Sequence, residues 1–283
     1  MNYRHAFHAG NFADVFKHVF LTRILLYLAR KDTRFRVIDT HAGEGAYDLK
    51  SEEARRGGEW RDGIGRLGDL KDIDERAREL LKPYLDIVGP LDAEGRPALY
   101  PGSPRIVEVL MRAQDRATFC ELHPAAFAAL RVNFHRDERI ACLNLDGYMG
   151  LNAGAPPKER RGVVLIDPPY ERANEFDLAW SAVKSAHAKW PTGVYALWYP
   201  VKDASAVARF AKEIAQSGIR RVLRLELAVD DVVSGGKLRR TGLILINPPY
   251  VLEEEAAILL PALARKLAAT PRPQATREWL AGK

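Results

Sequence analysis

The chain has 283 residues, of which 47% are hydrophobic and 28% charged, and this is an ordinary globular composition. The sequence offers no apolar run of the roughly 20 residues that a membrane span requires, and its polar start, MNYRHAFHAG, does not resemble a secretory signal. Its two cysteines, Cys120 and Cys142, each lie in a short apolar run, which predicts two buried, reduced thiols rather than a disulfide framework.

The formal net charge of +6 and the isoelectric point of about 9.3 permit a polyanionic partner, because lysine and arginine neutralise phosphates. The basic residues cluster in four segments, which are RKDTRFR at 30–36, KERR at 158–161, RRVLR at 220–224 and KLRR at 237–240. An ordinary solvated surface explains such clusters at least as well, so charge alone does not establish nucleic-acid binding.

The first predicted element is a helix from Asn11 to Arg30. Asn11 can cap this helix, Asp14 follows in its first turn, and apolar residues recur at helical spacing after the cap. The segment FRVIDTHAGEGAYDL then predicts a strand that enters a glycine-bearing loop. From residue 52 to 98 the chain becomes charge-dense and helical, and after YPGSP the segment PRIVEVLMRAQ predicts a short helix.

Six further strands follow, most of them separated by helices: ATFCELH, RIACLNLDGY, GVVLIDPPY, VYALWYP, RVLRLELAV and GLILINPPY. Apolar strands that alternate with helices predict a parallel sheet covered on both faces. Only a short basic connector separates the last two strands, so this pair is predicted to be antiparallel. A polar tail is expected after Thr270. The pattern therefore predicts an α/β, Rossmann-like sheet of seven strands with the seventh reversed. This is the architecture of class I S-adenosylmethionine methyltransferases, although such sheets host many chemistries.

Candidate cofactor residues stand at the ends of successive strands, where open α/β sheets bind ligands. The loop DTHAGEG, from Asp39 to Gly45, follows the first strand and would allow the backbone to approach a ligand closely. Its spacing is not G-x-G-x-x-G, so S-adenosylmethionine is favoured over a nicotinamide or flavin. Glu121 would accept the ribose hydroxyls, and Asp146, before Gly147, would reach an adenine edge. Each acid alone is explained equally well as a helix cap or turn residue, but their order along the chain favours a cofactor site.

Two similar motifs, DPPY at Asp167 and NPPY at Asn247, end two of the predicted strands. Asp167 and a carbonyl held by Pro168 would accept the hydrogens of an exocyclic amine, since proline fixes φ and has no competing N–H. Tyr170 would offer a ring on which an extruded base stacks. NPPY ends the reversed strand and therefore lies at the opposite edge of the sheet. We predict that Asp167 is the catalytic copy and that NPPY ends a strand.

The segment YRHAFHAGNFADVFKH and the motifs DTHAGEG, YPGSP, ELHP, LDGY, IDPPYE, YALWYPV and INPPY resemble the RlmJ family of bacterial 23S ribosomal RNA adenine-N6 methyltransferases over nearly the whole chain. The resemblance implies a cytoplasmic enzyme that uses S-adenosylmethionine and acts on 23S ribosomal RNA. From the residues we expect no metal, because no cysteine or acid pattern completes a site with His5, His8 and His18. We also expect no membrane association and no obligate protein partner. The resemblance also implies a methyltransferase domain of residues 1–51 and 99–283, with a helical subdomain inserted at 52–98. We further expect residues 1–10 to form an N-terminal lid.

Several residue roles follow from the same resemblance. The positions that match cofactor contacts of the family are His18, His41, Ser103, Glu121, Asp146, Gly147 and Asp167. Asp167 also matches the catalytic acid, and Tyr3 matches a residue implicated with the RNA.

Alternatives remain for individual residues and for the function. Ser103 would also suit a cap for a helix that starts at Pro104, and His18 would suit a surface pair with Asp14, four residues earlier. The rival functions are a DNA adenine-N6 methyltransferase, a protein-glutamine methyltransferase that uses NPPY, and a ribosomal RNA-binding protein without catalysis.

Overall fold

The computed structural model describes residues 4–230 and 238–282. Its strands in chain order are β1 (Arg36–Asp39), β2 (Ala46–Tyr47), β3 (Tyr100–Pro101), β4 (Arg116–Cys120), β5 (Ile140–Leu143), β6 (Gly162–Ile166), β7 (Val194–Pro200), β8 (Val222–Ala228), β9 (Arg240–Ile246) and β10 (Gln274–Ala281). Its α-helices are α1 (Phe12–Ala29), α2 (Glu52–Gly57), α3 (Glu75–Val88), α4 (Ser103–Leu110), α5 (Pro124–Phe134), α6 (Gly147–Gly154), α7 (Glu175–Lys189), α8 (Ala204–Gln216) and α9 (Leu252–Leu267). Short 3₁₀ helices occur at His5–Phe7, Glu59–Asp62 and Ile64–Gly68. Among the described helices, none is long and apolar enough to cross a bilayer.

The main sheet has the strand order β5-β4-β1-β6-β7-β9-β8-β10. The five strands from β5 to β7 are parallel, and β9 runs antiparallel to both β7 and β8. The predicted parallel sheet with a reversed seventh strand is therefore confirmed. Strand order reverses at β1, which lies between β4 and β6, and this is where open α/β sheets bind ligands.

The two faces of the sheet carry separate apolar clusters, because successive residues of a strand point to opposite sides. In β6, Val163 and Leu165 belong to the cluster with α1, α4 and α9, whereas Val164 and Ile166 belong to the cluster with α7 and α8. This two-sided burial explains why the parallel strands are nearly uninterrupted apolar runs in the sequence.

The prediction that the residues after Thr270 are only a polar tail is wrong. Residues 274–281 form β10, which pairs antiparallel with β8 and makes the main sheet eight-stranded rather than seven-stranded. The tail lacks a long apolar run because β10 is an edge strand with most of its side chains half-buried or exposed, and Arg224 of β8 pairs there with Glu278. The expectation for the cysteines is correct only for Cys120, since both thiols are free but Cys142 is half-buried.

The charged stretch 52–98 contains α2, two of the 3₁₀ helices and α3. The chain enters and leaves this stretch through β2 and β3, which pair antiparallel with each other. Its apolar residues, such as Trp60, Leu81 and Tyr84, share one cluster with α1 and α9 rather than forming a core of their own. The division of the chain into a methyltransferase domain and an inserted subdomain stays a prediction.

Helix α1 is buried on nearly all sides and lies between the sheet and the charged stretch. Asn11 caps it by accepting from the N–H of Asp14, as predicted. Its polar side chains must find partners because burying an unpaired charge is costly. Arg23, for example, donates two hydrogen bonds of 2.8 and 2.6 Å to Glu255 of α9. Lys17 and His18 of the same helix line the cavity described next.

Candidate active site

A cavity of about 590 Å³ opens at the carboxyl edge of the parallel strands. It is lined by the segments that follow β1, β4, β5 and β6, and by the first turns of α1. All seven positions expected to contact a cofactor line this cavity: His18, His41, Ser103, Glu121, Asp146, Gly147 and Asp167. Of the other expected site residues, Pro168 is buried, Tyr170 is absent from the lining, and Tyr3 lies outside the described residues.

Glu121, immediately after β4, is fixed at the mouth of the glycine loop. Its two carboxylate oxygens accept hydrogen bonds from the backbone N–H groups of Gly43, at 2.8 Å, and of His123, at 2.7 Å. The carboxylate is therefore held in one orientation against the loop that follows β1. Such a fixed acid beyond a parallel strand is suited to accept hydroxyl groups of a ribose.

Asp146 and Gly147 begin α6 beside the same loop. Asp146 caps the helix through Oδ1, which accepts from the N–H groups of Tyr148 and Met149, and it also lines the cavity. A side chain at Gly147 would place its Cβ only 2.0 Å from the carbonyl oxygen of Thr40. Glycine at 147 is therefore required for α6 to pack against the loop.

Two of the histidines that line the cavity, His18 and His41, are neutral at pH 7 because burial disfavours their charged forms. Burial lowers the pKa of His18 to about 3 and that of His41 to about 4. The hydroxyl of Thr40 donates to Leu165 O, so it accepts from Nδ1 of His41 at 2.8 Å and leaves Nε2 of His41 as an acceptor. His18 bonds Tyr100 through Nδ1 at 2.9 Å and is not paired with Asp14 on a helix surface.

Ser103 does not cap α4, whose cap residue is Gly102. Its hydroxyl instead donates to Asp39 Oδ2 at 2.6 Å, beneath the cavity. Burial raises the pKa of Asp39 to about 6, the nearby charge of Asp167 acts in the same direction, and the bond from Ser103 opposes the rise. Asp39 therefore belongs to the buried support of the site, below the residues that line it.

The side chain of Asp167 contacts a buried ammonium that the sequence analysis missed. Lys17 Nζ donates to Asp167 Oδ2 and, at 2.9 Å, to Asp14 Oδ1. Burial alone would lower the pKa of Lys17, but the two carboxylates raise it above its ordinary value. Asp14 in turn pairs with His5 at 2.9 Å, so a chain of four charged or polar side chains leads from the N-terminal segment to Asp167.

A sequence feature that points to Lys17 does exist. Asp14 and Lys17 are spaced i,i+3 in a segment whose other residues are mostly apolar, and a charged residue on a buried helix has to be paired. The partner Asp167, however, lies 150 positions away along the chain, so the spacing alone does not identify it.

The two PPY motifs have different conformations despite their similar sequence. In the first motif Tyr170 has a φ of 51°, whereas in the second it is Asn247 that has a φ of 52°. The ring of Tyr170 packs 5.0 Å from that of Phe176 and 5.8 Å from that of Trp198, and its hydroxyl donates to Trp198 O at 2.8 Å. Tyr170 therefore packs beneath the site, and its predicted role as a stacking surface for a base is untested.

Asn247 lies at the opposite edge of the sheet, as predicted from the reversed strand. Its Nδ2 donates to Pro191 O at 2.8 Å and to Gly193 O at 2.9 Å, which fastens the end of β9 to the turn before β7. Asparagine tolerates the left-handed backbone region better than most residues. The NPPY motif therefore stabilises a turn in this structure.

The described part of the N-terminal segment is docked over the cavity. Arg4 and His5 line it, Arg4 pairs with Glu53 of α2 at 2.9 Å, and His8 contacts Glu59 at 3.0 Å. A Cβ at Gly57 would lie 2.0 Å from Phe7 O, so the segment packs directly on α2. The role of residues 1–10 as a lid stays a prediction.

The charge of the described cavity lining is negative. The carboxylates are Glu44, Glu121, Asp146, Asp167, Glu171 and Glu175, and the basic residues are Arg4, Lys17 and Arg172. With His18 and His41 neutral and six carboxylates against three basic side chains, the surroundings favour a cationic ligand over an anionic one.

The strand order, the reversed strand β9 and the row of acids at the carboxyl edge define a class I methyltransferase of the Rossmann-like kind. Within this class, the chain belongs to the family described as "Ribosomal RNA large subunit methyltransferase D, RlmJ", whose model matches residues 32–281. The family predicted from the sequence motifs is thus confirmed.

Individual relatives match over nearly their whole length. The chain is 39% identical to Ribosomal RNA large subunit methyltransferase J of Escherichia coli K12 over 280 residues, covering 99% of each protein. It is 40% identical to the protein of the same name from Haemophilus influenzae over 281 residues, again covering 99% of each. The crystal structure of a Legionella pneumophila protein superposes with a TM-score of 0.86 at 34% identity, covering 96% of this chain and 98% of that one.

Proposed function

We propose that this protein is an S-adenosylmethionine-dependent methyltransferase that modifies the exocyclic N6 amine of an adenine in 23S ribosomal RNA. The observation that carries the proposal is the position of Asp167, which begins a DPPY motif at the end of β6 in the same cavity as Glu121, Asp146 and the glycine loop. The names of the two curated relatives support ribosomal RNA as the substrate.

The residues of the cavity fit S-adenosylmethionine. The fixed Glu121 carboxylate suits the ribose, and the negative lining and the neutral histidines suit a sulfonium cation. S-adenosylmethionine, when bound, supplies a methyl group that its sulfonium makes electrophilic. We expect the contacts to it to come from His18, His41, Ser103, Glu121, Asp146, Gly147 and Asp167.

Asp167 would orient the attacking amine. The lone pair of an adenine amine is delocalised into the ring, so the nitrogen is a weak nucleophile until acceptors draw its hydrogens out of the ring plane. Asp167 is suited to accept one hydrogen, and the backbone carbonyl held by Pro168 is suited to accept the other. The ammonium of Lys17 contacts Oδ2 and thereby holds the carboxylate in a fixed orientation.

Asp167 would also take the proton that the amine loses. Methyl transfer makes the nitrogen positively charged and its remaining hydrogens acidic, so a carboxylate within hydrogen-bond reach can accept one of them. Alignment of the two reactants accounts for the rest of the acceleration. We further propose that Tyr3 and the docked segment that follows it exclude water from the transfer site and contact the RNA, and that Tyr170 stacks on the base.

The proposal is tested by incubating the purified protein with in vitro transcribed 23S ribosomal RNA and S-adenosylmethionine that carries a labelled methyl group. Digestion to nucleosides and mass spectrometry should find the label in N6-methyladenosine. Label at a ring nitrogen or on cytosine would contradict the proposed chemistry. Preferential labelling of duplex DNA in a parallel reaction would instead favour the DNA adenine-N6 alternative.

A further inference from the structure

A second cavity, of about 430 Å³, lies around the NPPY motif that methyl transfer does not use. It is bordered by Asn247 to Tyr250, by the turn at Pro191 and Thr192, by the end of α1, and by the start of β6 at Gly162. It therefore opens at the sheet edge opposite to the methyl-transfer cavity. Strand β6 separates the two by roughly 15–20 Å, at about 3.3 Å per residue.

This far-edge cavity has the opposite charge to the first. Its described lining contains Lys31, Arg161 and Arg221 and no carboxylate. Lys31 and Arg221 are exposed and make no ion pair within residues 4–230 and 238–282. The exposed Arg30 and Arg34 lie in the segment that follows α1, together with the exposed Asp32. Three of the four basic clusters of the sequence thus contribute to one surface.

Arg161 gives this surface a fixed positive charge, whereas the neighbouring Arg112 is paired with Asp115 at 2.9 Å. Nη2 of Arg161 donates to Leu28 O at 2.6 Å and Nη1 to Thr33 O at 2.9 Å, while Nη1 of Arg112 donates to Ala29 O at 3.2 Å. These bonds hold both guanidinium groups at the carboxyl end of α1. Burial lowers the pKa of Arg161 from its ordinary value, and the neighbouring Arg112 acts in the same direction.

An exposed aromatic ring stands beside these charges. Tyr250 is 72% exposed, and its ring meets the ring of Tyr27 edge-on at 5.6 Å. The guanidinium of Arg30 lies 5.6 Å from the Tyr27 ring centre. Basic side chains that neutralise phosphates, combined with an aromatic ring on which a base can stack, are the two components of single-stranded nucleic-acid binding sites.

We propose that the far-edge cavity binds a phosphodiester segment of RNA, with Lys31 and Arg221 contacting phosphates and a nucleobase stacked on Tyr250. The methyl-transfer cavity is itself negatively charged, so it is poorly suited to attract the RNA backbone. A second binding site elsewhere on the surface would supply affinity for the RNA backbone. Because the two cavities lie at opposite edges of the sheet, an RNA that reaches both must pass around the protein surface, over a path longer than the roughly 15–20 Å along β6.

The test compares the double variant Lys31→Glu/Arg221→Glu and the variant Tyr250→Ala with wild type. The matched control is Arg209→Glu/Lys212→Glu, which reverses two exposed charges on α8, a helix that lines neither cavity. Affinity for in vitro transcribed 23S ribosomal RNA is measured by filter binding over a range of salt concentrations without cofactor. We expect the slope of log affinity against log salt to become shallower by about 2 in the double variant. Affinity should fall at least roughly tenfold in the double variant and about fivefold or more in Tyr250→Ala, and the control should stay within about twofold of wild type.

The outcomes separate this inference from the proposed function on which the RNA substrate rests. If the double variant binds RNA with wild-type affinity and salt slope, the far-edge site is wrong, whether or not wild type methylates the RNA. If the substitutions lower RNA affinity as expected but the wild-type protein transfers no methyl group to RNA, the far-edge site stands and the proposed function fails. If the cavity instead binds a small phosphorylated ligand, inorganic phosphate should bind tightly in a titration and the variants should bind RNA as wild type does. That result would also overturn the inference.

Discussion

Substitution of Asp167 by alanine should remove methyl transfer while leaving a folded protein. The contact of Oδ2 with Lys17 is lost, but Lys17 keeps its 2.9 Å bond to Asp14, so no buried charge is left unpaired. General-base and orientation effects of such a group are each worth roughly 10²–10⁴-fold in rate, so turnover should become hard to detect. S-adenosylmethionine should still bind, because Glu121, Asp146 and the glycine loop are unchanged.

The matched control is Asn247→Ala in the second motif. It removes two hydrogen bonds, of 2.8 and 2.9 Å, and puts alanine at a φ of 52°. At about 1 kcal/mol for each hydrogen bond, the free energy of unfolding falls by about 2 kcal/mol, and alanine in the left-handed backbone region lowers it further. For a chain of this length that corresponds to a fall of about 3 °C in Tm. Turnover at saturating RNA, and at a temperature where the variant is folded, should stay within a few-fold of wild type.

Three measurements on each variant decide the matter: Tm by differential scanning calorimetry, S-adenosylmethionine affinity by isothermal titration, and single-turnover methylation of 23S ribosomal RNA. Asp167 would not be the catalytic copy if Asn247→Ala abolished turnover in a folded, cofactor-binding protein while Asp167→Ala had a mild effect. Asn247→Asp, which gives the second motif the letters of the first, should restore no activity to Asp167→Ala.

Three further predictions concern the residues around Asp167. Lys17→Met should lower methylation at least tenfold and S-adenosylmethionine affinity only a few-fold, because it releases the carboxylate of Asp167; equal losses in both assays would contradict this. Asp39 has a pKa of about 6 in the folded protein against an ordinary value of 3.8, so the native state holds its proton more tightly and ionisation of Asp39 costs stability as pH rises. The free energy of unfolding of Asp39→Asn relative to wild type should therefore rise between pH 4 and 6, by up to about 3 kcal/mol at 1.36 kcal/mol per pKa unit. Urea unfolding at each pH measures this difference, and a difference that does not change with pH would contradict the prediction. Gly147→Ala should lower the free energy of unfolding by about 1–3 kcal/mol and weaken S-adenosylmethionine binding, because its Cβ would meet Thr40 O at 2.0 Å. The control Gly154→Ala should be tolerated in thermal and binding assays, because its Cβ approaches only a flexible isoleucine side chain, at 3.2 Å.

The parts of the structure that the sequence predicted correctly are those that depend on local pattern. Parallel strands that are buried on both faces are continuous apolar runs, and an acid that ends such a run has only one edge of the sheet to occupy. Glu121, Asp146 and Asp167 could therefore be placed in one cavity before any geometry was known. The reversed last strand followed from the short connector between β8 and β9.

The parts that were missed depend on tertiary contacts. The sequence pattern does not identify Lys17 as a site residue, because its partner Asp167, which follows β6, is distant in sequence. A lysine in a helix is also normally a surface residue. The letters of its motif do not show that Tyr170 packs against Phe176 and Trp198, and its role in stacking on a base stays a prediction. Equal motifs do not imply equal conformations, since the residue with positive φ differs between DPPY and NPPY.

Strand β10 has a practical consequence for anyone who shortens this protein. Its sequence looks like a dispensable extension, and removing it would appear harmless. Removal would leave β8 as an unprotected edge, with the backbone groups that now pair over Val222–Ala228 open to other molecules. Because β8 is an apolar strand, such an edge is a template for intermolecular strand pairing. We expect a protein truncated after Thr270 to aggregate on storage even if its catalytic residues are intact.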